Sequence, residues 1–312
     1  MFSKNIDWGF DVKWDRIPDS TRFKRAMTHV YNTVPTVATD PNFRVVNGLP
    51  IYFDPNEKNI LLTFSGGADS TLLLYILCQL ITQFSPDTKL YLLTFLRGWE
   101  GRPWNEILTK ELLDKFKELF PSVAIEQLFG FIPSALEMTP LKNLVNMPKK
   151  YQVFDEATMA QAGCDIYVTM EYTDYICQKY NIKVTYSGCT TNPEEVPDGK
   201  DTFRTPKELT EKDCWLYLPA YHLPRWRPDT VKKLDPFFLI NKDWVMAQYD
   251  NFGIADIKPM TRSCAIPIND LKLPSPDVEI HGNDYACGVC HFCTERQWGE
   301  DNKHFYLRET HQ

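Results

Sequence analysis

The feature that most constrains the fold is a short glycine-containing string between a strand pattern and a helix pattern. The string is Ser65-Gly66-Gly67-Ala68-Asp69-Ser70. It follows the apolar run at residues 60–64, which is typical of a parallel strand buried on both faces. It precedes a helix pattern over residues 70–84. Because glycines let an anion approach the backbone N–H groups at a helix N-terminus, the string predicts a phosphate-binding loop.

Strand and helix patterns alternate after this loop. Predicted strands cover residues 89–96, 123–128 and 183–186, and predicted helices cover residues 104–120, 157–180 and 241–252. This alternation indicates an α/β fold, with a parallel sheet and helices on both faces. Ahead of it, residues 21–31 predict a helix, and residues 43–53 predict a β-hairpin that turns at Asn47-Gly48.

The order of these patterns divides the chain into three parts. We predict an N-terminal extension with the hairpin (residues 1–57), a nucleotide-binding α/β domain (58–255) and a loop-rich metal-binding C-terminal segment (256–312). The formal net charge of −7 argues against a broad basic surface, so nucleic acid is not the expected partner. No apolar run approaches the length of a membrane span, and residues 1–8 do not resemble a signal peptide. We therefore expect a cytoplasmic protein with no membrane partner.

The residue types in the glycine string indicate a nucleotide phosphate accompanied by a divalent cation. Ser65 and Ser70 add hydroxyl donors to the backbone N–H groups. A carboxylate, Asp69, suits an anion site if it binds the Mg²⁺ that bridges the phosphates. The string lacks the Gly-Lys-Ser/Thr ending of a Walker A loop, and it is not Gly-x-Gly-x-x-Gly. The alternative is a tight turn in which Asp69 only complements the helix dipole.

The cysteines point to a metal site near the end of the chain. There are nine, an odd number that does not suggest a disulfide framework. Cys287, Cys290 and Cys293 are separated by two-residue gaps, and Cys264 offers a fourth thiol. Four thiolates form a closed tetrahedral Zn²⁺ site, although iron–sulfur clusters use similar spacings and stay an alternative. His291 is predicted to be a loop or surface residue rather than a ligand.

The string at residues 65–70 resembles the PP-loop of the adenine nucleotide alpha-hydrolase-like superfamily, whose members cleave ATP between the α and β phosphates. The resemblance implies that Ser65, Gly66, Gly67, Ala68, Asp69 and Ser70 hold the pyrophosphate part of ATP, with Asp69 and Ser70 acting in catalysis. It implies that adenine lies at the end of the second strand, near Thr94 and Phe95. It also implies a sheet of five parallel strands.

With the cysteine motif added, the chain is similar to the 7-cyano-7-deazaguanine synthase (QueC) family of queuosine-type nucleotide modification. In that family a PP-loop is followed by a cysteine, a loop and Cys-Gly-x-Cys-x-x-Cys, which corresponds here to Cys264 and Cys287 to Cys293, before Glu295-Arg296. Residues 185–203 and 236–242 also look similar, and residues 1–57 have no counterpart. The resemblance implies an ATP-dependent ligase that adenylates 7-carboxy-7-deazaguanine and uses ammonia to form the amide and then the nitrile.

The same resemblance implies cofactors, partners and further site residues. The cofactors are ATP, Mg²⁺ and Zn²⁺, the partners are the small carboxylate and ammonia, and a homodimer is expected. Lys242 is the candidate cation for the phosphates, with a solvated residue at a helix start as the alternative. Cys189 is predicted to line the pocket rather than to act as a nucleophile. Asp201 and Arg204 are candidate substrate contacts, with exposed loop charges as the alternative.

Two other functions remain open from the sequence. A related enzyme could activate a different carboxylate or a tRNA base. The chain could also be a non-catalytic nucleotide-binding module of a complex, but mere nucleotide binding would not need the carboxylate of Asp69.

Overall fold

The computed structural model describes residues 17–33, 37, 39–97, 104–132, 164–191, 193, 231–265, 270–275 and 277–307. The strands of these ranges are β1 (Phe43–Val46), β2 (Leu49–Tyr52), β3 (Asn59–Thr63), β4 (Lys89–Arg97), β5 (Ala124–Ile132), β6 (Val184–Tyr186) and β7 (Lys232–Leu234). The α-helices are α1 (Arg22–Thr33), α2 (Ala68–Phe84), α3 (Asn105–Leu119), α4 (Cys164–Lys179), α5 (Lys242–Asn251) and α6 (His291–Asn302). Short 3₁₀ helices span Lys258–Met260 and Lys303–Tyr306.

Five parallel strands form the central sheet, in the order β5-β4-β3-β6-β7. β3 is central, with Ile60 opposite Leu90 on one side and opposite Val184 on the other. Its Ile-Leu-Leu run is buried, as expected for a strand covered on both faces. The predicted α/β fold with a five-stranded parallel sheet is therefore confirmed.

The strand order places a topological switch point next to the glycine string. From β3 the chain builds the sheet outwards through β4 and β5, and later returns to the other side of β3 with β6. The connections after β3 and β6 therefore lead away from each other and leave a crevice at the carboxyl ends of these strands. Ligands bind in such crevices in open α/β sheets.

The N-terminal elements pack on the same core as the sheet. The hairpin of β1 and β2 turns at Asn47 and Gly48, whose φ angles of 54° and 74° fit the predicted type I′ turn. On α1, the ring of Phe23 stacks on Trp244 at a centroid distance of 5.8 Å and meets Tyr306 edge-on at 5.6 Å. This hydrophobic core crosses both predicted boundaries, and the three-part division stays a prediction.

Two elements were not predicted from the sequence. β7 is Lys-Lys-Leu, which has no apolar pattern, and its extended form is set by pairing with β6. α6 was also missed, because its sequence lacks an apolar stripe and contains Gly299. A Cβ at Gly299 would lie 2.8 Å from Cγ of Lys242, so this glycine lets α6 pack closely on α5. Among the helices of the described ranges, none is both long and apolar enough to cross a bilayer.

Candidate functional site

Two glycines allow the chain to pass closely at the switch point. Gly66 has a φ of +71°, and a Cβ there would lie 2.8 Å from Cδ2 of Leu108 on α3. Gly188 follows β6, and a Cβ there would lie 2.8 Å from the backbone N of Ser70. A side chain at Gly188 would overlap the backbone of the glycine loop (residues 65–70), and one at Gly66 would displace either Leu108 or the loop. The positions of these glycines therefore fix the shape of the crevice.

Hydrogen bonds within the glycine loop orient its hydroxyl groups. The Gly67 N–H donates to Oγ of Ser65 at 3.3 Å, and the two serine Oγ atoms, of Ser65 and Ser70, lie 3.2 Å apart. Gly67 is the N-cap of α2 and has no side chain that could accept from the first N–H groups of the helix. The positive end of α2 thus faces the crevice together with two hydroxyl groups, which is an arrangement suited to an anion.

Asp69 and Lys242 form a buried ion pair beside this helix end. Nζ of Lys242 bonds to Oδ2 of Asp69 and lies 3.8 Å from Oε2 of Glu295. The lysine side chain is only 3% exposed, so the alternative of a solvated residue at a helix start is wrong. Oδ1 of Asp69 is buried and has no hydrogen-bond partner among the described residues. This carboxylate oxygen is a fitting ligand for Mg²⁺, which prefers oxygen donors.

The end of β4 lies next to the start of the glycine loop. Thr94 is buried, and its hydroxyl donates to the carbonyl oxygen of Phe64 at 2.8 Å. The ring of Phe95 lies 6.1 Å from the ring of Tyr172 on α4. Thr94 therefore supports the loop directly, while the predicted contact of Thr94 and Phe95 with adenine stays a prediction.

A tyrosine that the sequence did not single out supports the loop from the opposite side. The hydroxyl of Tyr249, on α5, donates to the carbonyl oxygen of Ala68 at 2.6 Å. Burial raises the pKa of Tyr249 well above its ordinary value, so the hydroxyl keeps its proton and remains a donor.

The predicted substrate residues are described only in part. Cys189 is half-buried just after β6, with its Sγ 3.2 Å from Oγ of Ser187. This position at the carboxyl edge of the sheet is the predicted one, and its lining role stays a prediction. Asp201 and Arg204 lie outside the described residues.

The four late cysteines converge on one point. The sulfur atoms of Cys264, Cys287, Cys290 and Cys293 all lie within 4.8 Å of one another. Sγ of Cys287 lies 3.7 Å from that of Cys264 and 3.9 Å from that of Cys293. Four sulfurs in a tetrahedron around one ion at about 2.3 Å are about 3.8 Å apart. The described thiols could therefore hold a single metal ion.

The acidity of the thiols differs within this cluster. Burial opposes ionisation of Cys287, but hydrogen bonds with the N–H groups of Val289 and Cys290 and with the thiols of Cys290 and Cys264 together lower the pKa of this thiol to about 7. Burial raises the pKa of Cys293. A positive ion would favour the thiolate form of all four side chains.

Arg262, two residues before Cys264, connects the cysteine cluster to the glycine loop. The Arg262 N–H donates to the carbonyl oxygen of Gly66 at 3.0 Å. Its guanidinium lies 4.2 Å from the ring centroid of Trp104 and donates to the carbonyl oxygen of Asp284. Burial lowers the pKa of this guanidinium, and the nearby cysteine sulfurs oppose that shift.

Arg296 connects α6 to the residues that precede Arg262. It donates to the carbonyl oxygens of Thr261 at 2.9 Å and of Lys258 at 2.8 Å. The sequence analysis did not assign a site role to Arg262 or Glu295. The signals were position, because each lies two residues from a cysteine of the cluster, and for Glu295 its place after the cysteine motif in the family resemblance.

No protein-family profile matches the sequence, and no curated protein matches it either. Among solved structures, the chain is similar to the U34-tRNA thiolase NcsA from Methanococcus maripaludis with its [4Fe-4S] cluster. The two are 14% identical, with a TM-score of 0.39 and coverage of 91% of this chain and 80% of that chain. An FMN adenylyltransferase from Candida glabrata, in complex with FMN and the ATP analogue AMPCPP, is 13% identical, with a TM-score of 0.37 and coverage of 95% and 78%.

A third similar structure is a 4-thiouridine synthetase–RNA complex with bound ATP. It is 13% identical, with a TM-score of 0.39, and the match covers 79% of this chain and 53% of that chain. Similarity at this level carries no statement about the activity of the present chain.

Proposed function

We propose that this chain is an enzyme that binds Mg-ATP at the glycine loop, transfers AMP to an acid substrate and releases pyrophosphate. The main observation is that a carboxylate and a buried ammonium, Asp69 and Lys242, flank an uncapped helix N-terminus at the switch point of the sheet. Anion binding alone would need only the helix end. The added carboxylate suits a site that also takes a divalent cation.

The residues in and around the glycine loop have separate roles in this proposal. The N–H groups at the start of α2 and the hydroxyls of Ser65 and Ser70 bind the β and γ phosphates, which leave together as pyrophosphate. Lys242 neutralises the negative charge that grows on the leaving group. Mg²⁺ bound by Asp69 would supply further charge neutralisation and would orient the phosphates. Thr94 and Phe95 border the adenine.

The finer proposal concerns the acid and rests on the sequence resemblance. The carboxylate of 7-carboxy-7-deazaguanine attacks the α-phosphorus of ATP, and pyrophosphate leaves. Ammonia then attacks the acyl carbon, and AMP leaves as the amide forms. The amide oxygen attacks a second ATP with loss of pyrophosphate, and loss of AMP then gives the nitrile. Cys189, Asp201 and Arg204 are the proposed residues around this substrate.

The four cysteines have a structural role in the proposal. A site of four thiolates is closed, because no coordination position is left for water or substrate, and this is the usual form of structural Zn²⁺. We propose one Zn²⁺ per chain. Sulfur separations of 3.7 and 3.9 Å suit a single ion better than a cluster of several iron and sulfide atoms, which would hold its thiolates further apart.

A product assay tests the proposal directly. The chain is incubated with ATP, Mg²⁺, 7-carboxy-7-deazaguanine and ammonium, and nucleotides and bases are identified by mass. We expect AMP and pyrophosphate, and two AMP for each nitrile. Release of ADP and phosphate would contradict the assignment of the loop. If only another carboxylate supports AMP release, the result would support the proposed ATP reaction and contradict 7-carboxy-7-deazaguanine as the substrate.

A substitution in the loop provides the matched control. Asp69→Asn should lower turnover roughly 100-fold or more, because it weakens the cation site and removes the negative charge that pairs with Lys242. Asp87→Asn makes the same chemical change at an exposed carboxylate that lies beyond the other end of α2. That variant should keep full turnover.

A further inference from the structure

Lys242 lies between carboxylates from two different helices. Asp69 comes from the first turn of α2, and Glu295 comes from α6, which begins directly after Cys290. Oδ2 of Asp69 bonds to Nζ of Lys242, and Oε2 of Glu295 lies 3.8 Å from the same atom. The side chains of Lys242 and Glu295 are 3% and 2% exposed, so water screens their interaction very little.

A buried ammonium depends on a counter-ion. Removing one partner of a buried ion pair costs about 3–5 kcal/mol, because the other charge is left uncompensated. If Asp69 binds Mg²⁺, as the proposed function requires, its attraction for Lys242 is weakened by the metal charge. With Asp69 as the sole counter-ion, Mg²⁺ and Lys242 would compete for one carboxylate.

Glu295 is held in a position where it can serve as the counter-ion of Lys242. The hydroxyl of Thr190, just after β6, donates to its Oε1 at 3.4 Å. Gly299, one turn further along α6, brings this helix into contact with Cβ and Cγ of Lys242. Cys290 and Cys293 fix the start of α6 in the thiol cluster. The position of Glu295 therefore does not depend on the nucleotide.

We propose that Glu295 is a positioning residue that holds Lys242 in place when Asp69 binds Mg²⁺. This inference rests on the proposed Mg-ATP site. Glu295 lets the metal and the lysine act on the phosphates at the same time. It also makes α6, and through it the thiol cluster, part of the support of the nucleotide site.

The inference predicts a specific change in metal dependence. In Glu295→Gln, Asp69 is the one carboxylate among the described residues that still pairs with Lys242, so Mg²⁺ must displace a stronger contact. We expect the Mg²⁺ concentration for half-maximal binding of a non-hydrolysable ATP analogue to rise about tenfold. Binding of the analogue without Mg²⁺ should be unchanged or tighter, since one negative charge near the phosphates has been removed.

Calorimetric titration of the analogue over a series of Mg²⁺ concentrations measures this change. The control is Glu300→Gln, an equal charge change on the same helix, at a more exposed side chain that pairs with Lys258 and Lys303. It should leave the Mg²⁺ dependence at the wild-type value. In a Lys242→Met background, adding Glu295→Gln should no longer shift the Mg²⁺ dependence. A merely structural role of Glu295 would not depend on the lysine in this way.

A second variant keeps the inference testable if Glu295→Gln does not fold. Thr190→Val removes the hydroxyl that bonds to Glu295 and should raise the Mg²⁺ requirement in the same direction, by roughly twofold to threefold. Equal Mg²⁺ dependence of the wild type and the variants would overturn the role of Glu295 and leave the proposed function standing. Equal weakening with and without Mg²⁺ would also overturn it. A wild-type chain that binds no Mg-ATP would overturn the proposed function itself.

Discussion

The glycine loop and the cysteine segment (described residues 261–307) contact each other but are held by different interactions. The loop lies between β3 and α2, whose apolar side chains are buried in the main core. Between Thr261 and Cys290 the described residues contain no α-helix and no β-strand, and φ is positive at Gly282, Tyr285 and Gly288. The loop therefore takes its shape from the elements on either side, whereas we expect the cysteine segment to depend on the proposed metal ion.

The two regions are nevertheless bonded together. The backbone bond from Arg262 to Gly66 and the contact of Glu295 with Lys242 both cross the boundary between them. A change in the cysteine segment should therefore reach the nucleotide site. Substitutions in each region should show how strongly the glycine loop and the cysteine segment depend on each other.

The largest expected effect is that of removing the proposed metal ion. Chelation, or Cys290→Ser, should lower the free energy of unfolding by at least about 4 kcal/mol, the linkage energy when free ion is present at about a thousand times its Kd. Affinity for Mg-ATP should fall with it, because α6 carries Glu295. Thermal unfolding and analogue titration, with and without added Zn²⁺, measure both changes.

Cys189→Ser is the control for this experiment, since the sulfur of Cys189 contacts Ser187 and not the cluster. It should retain the metal. A chelated chain with unchanged melting and unchanged analogue affinity would show that the cysteine segment is held without an ion.

The second effect concerns the glycine loop itself. Gly66→Ala should destabilise the chain by roughly 2–4 kcal/mol, through left-handed backbone strain and overlap with Leu108. It should also weaken analogue binding, because either the glycine loop or Leu108 beside it must move. Gly253→Ala is matched to it: its φ is +68°, but a Cβ would meet nothing within 4 Å. That control should cost about 1 kcal/mol and leave binding intact; equal behaviour of the two variants would refute the close approach to α3.

Arg262→Met should have an intermediate effect confined to the cysteine segment. It removes the guanidinium from Trp104 and from the carbonyl oxygen of Asp284, at a cost of about 1–3 kcal/mol. The backbone bond to Gly66 remains, so analogue affinity should stay within roughly threefold of the wild type. Arg44→Met removes a guanidinium 4.5 Å from the ring of Phe84, outside the cysteine segment, and serves as the control. A large loss of affinity in Arg262→Met alone would assign the coupling to the side chain.

The smallest effect is a pH dependence at the surface of the cysteine segment. Nδ1 of His281 lies 2.5 Å from Oε1 of Glu111 on α3, and Nε2 lies 3.4 Å from Glu279. The bond to Glu111 raises the pKa of His281, with smaller contributions from Glu279 and Asp284. The fold therefore favours the protonated ring, and the stabilisation is complete below about pH 6.5 and is lost as pH rises through the raised pKa.

Since His281 is half-exposed, the change in melting temperature should be small. His281→Ala should flatten the melting profile between about pH 6 and pH 8.5. An unaltered slope in this variant would assign the pH dependence to other groups.

The elements around the glycine loop and the N-terminal hairpin could be predicted because each is encoded locally. The buried run before Ser65, the apolar helix after it and the Asn47-Gly48 turn show their structure in their own residues. β7 and α6 could not be predicted in this way. Both depend on partners far along the chain, β6 for the first and α5 for the second.

The same distinction applies to the site residues. The four cysteines were predicted as one cluster because their spacing is specific to metal ligands. Glu295 was noted only for following the cysteine motif, and Arg262 carries no signal, since an isolated charge is most often solvated. Only the packing of α6 on α5, and of residue 262 on residue 66, brings them to the loop.

The contacts of Phe23 have a consequence for how the chain is made. Its aromatic neighbours, Trp244 and Tyr306, are synthesised more than two hundred residues later. At about 5–20 residues per second, translation from α1 to Tyr306 takes on the order of 15–50 s. During that time the ring of Phe23 lacks these two native contacts, so this part of α1 stays uncovered by them until residue 306 has left the ribosome.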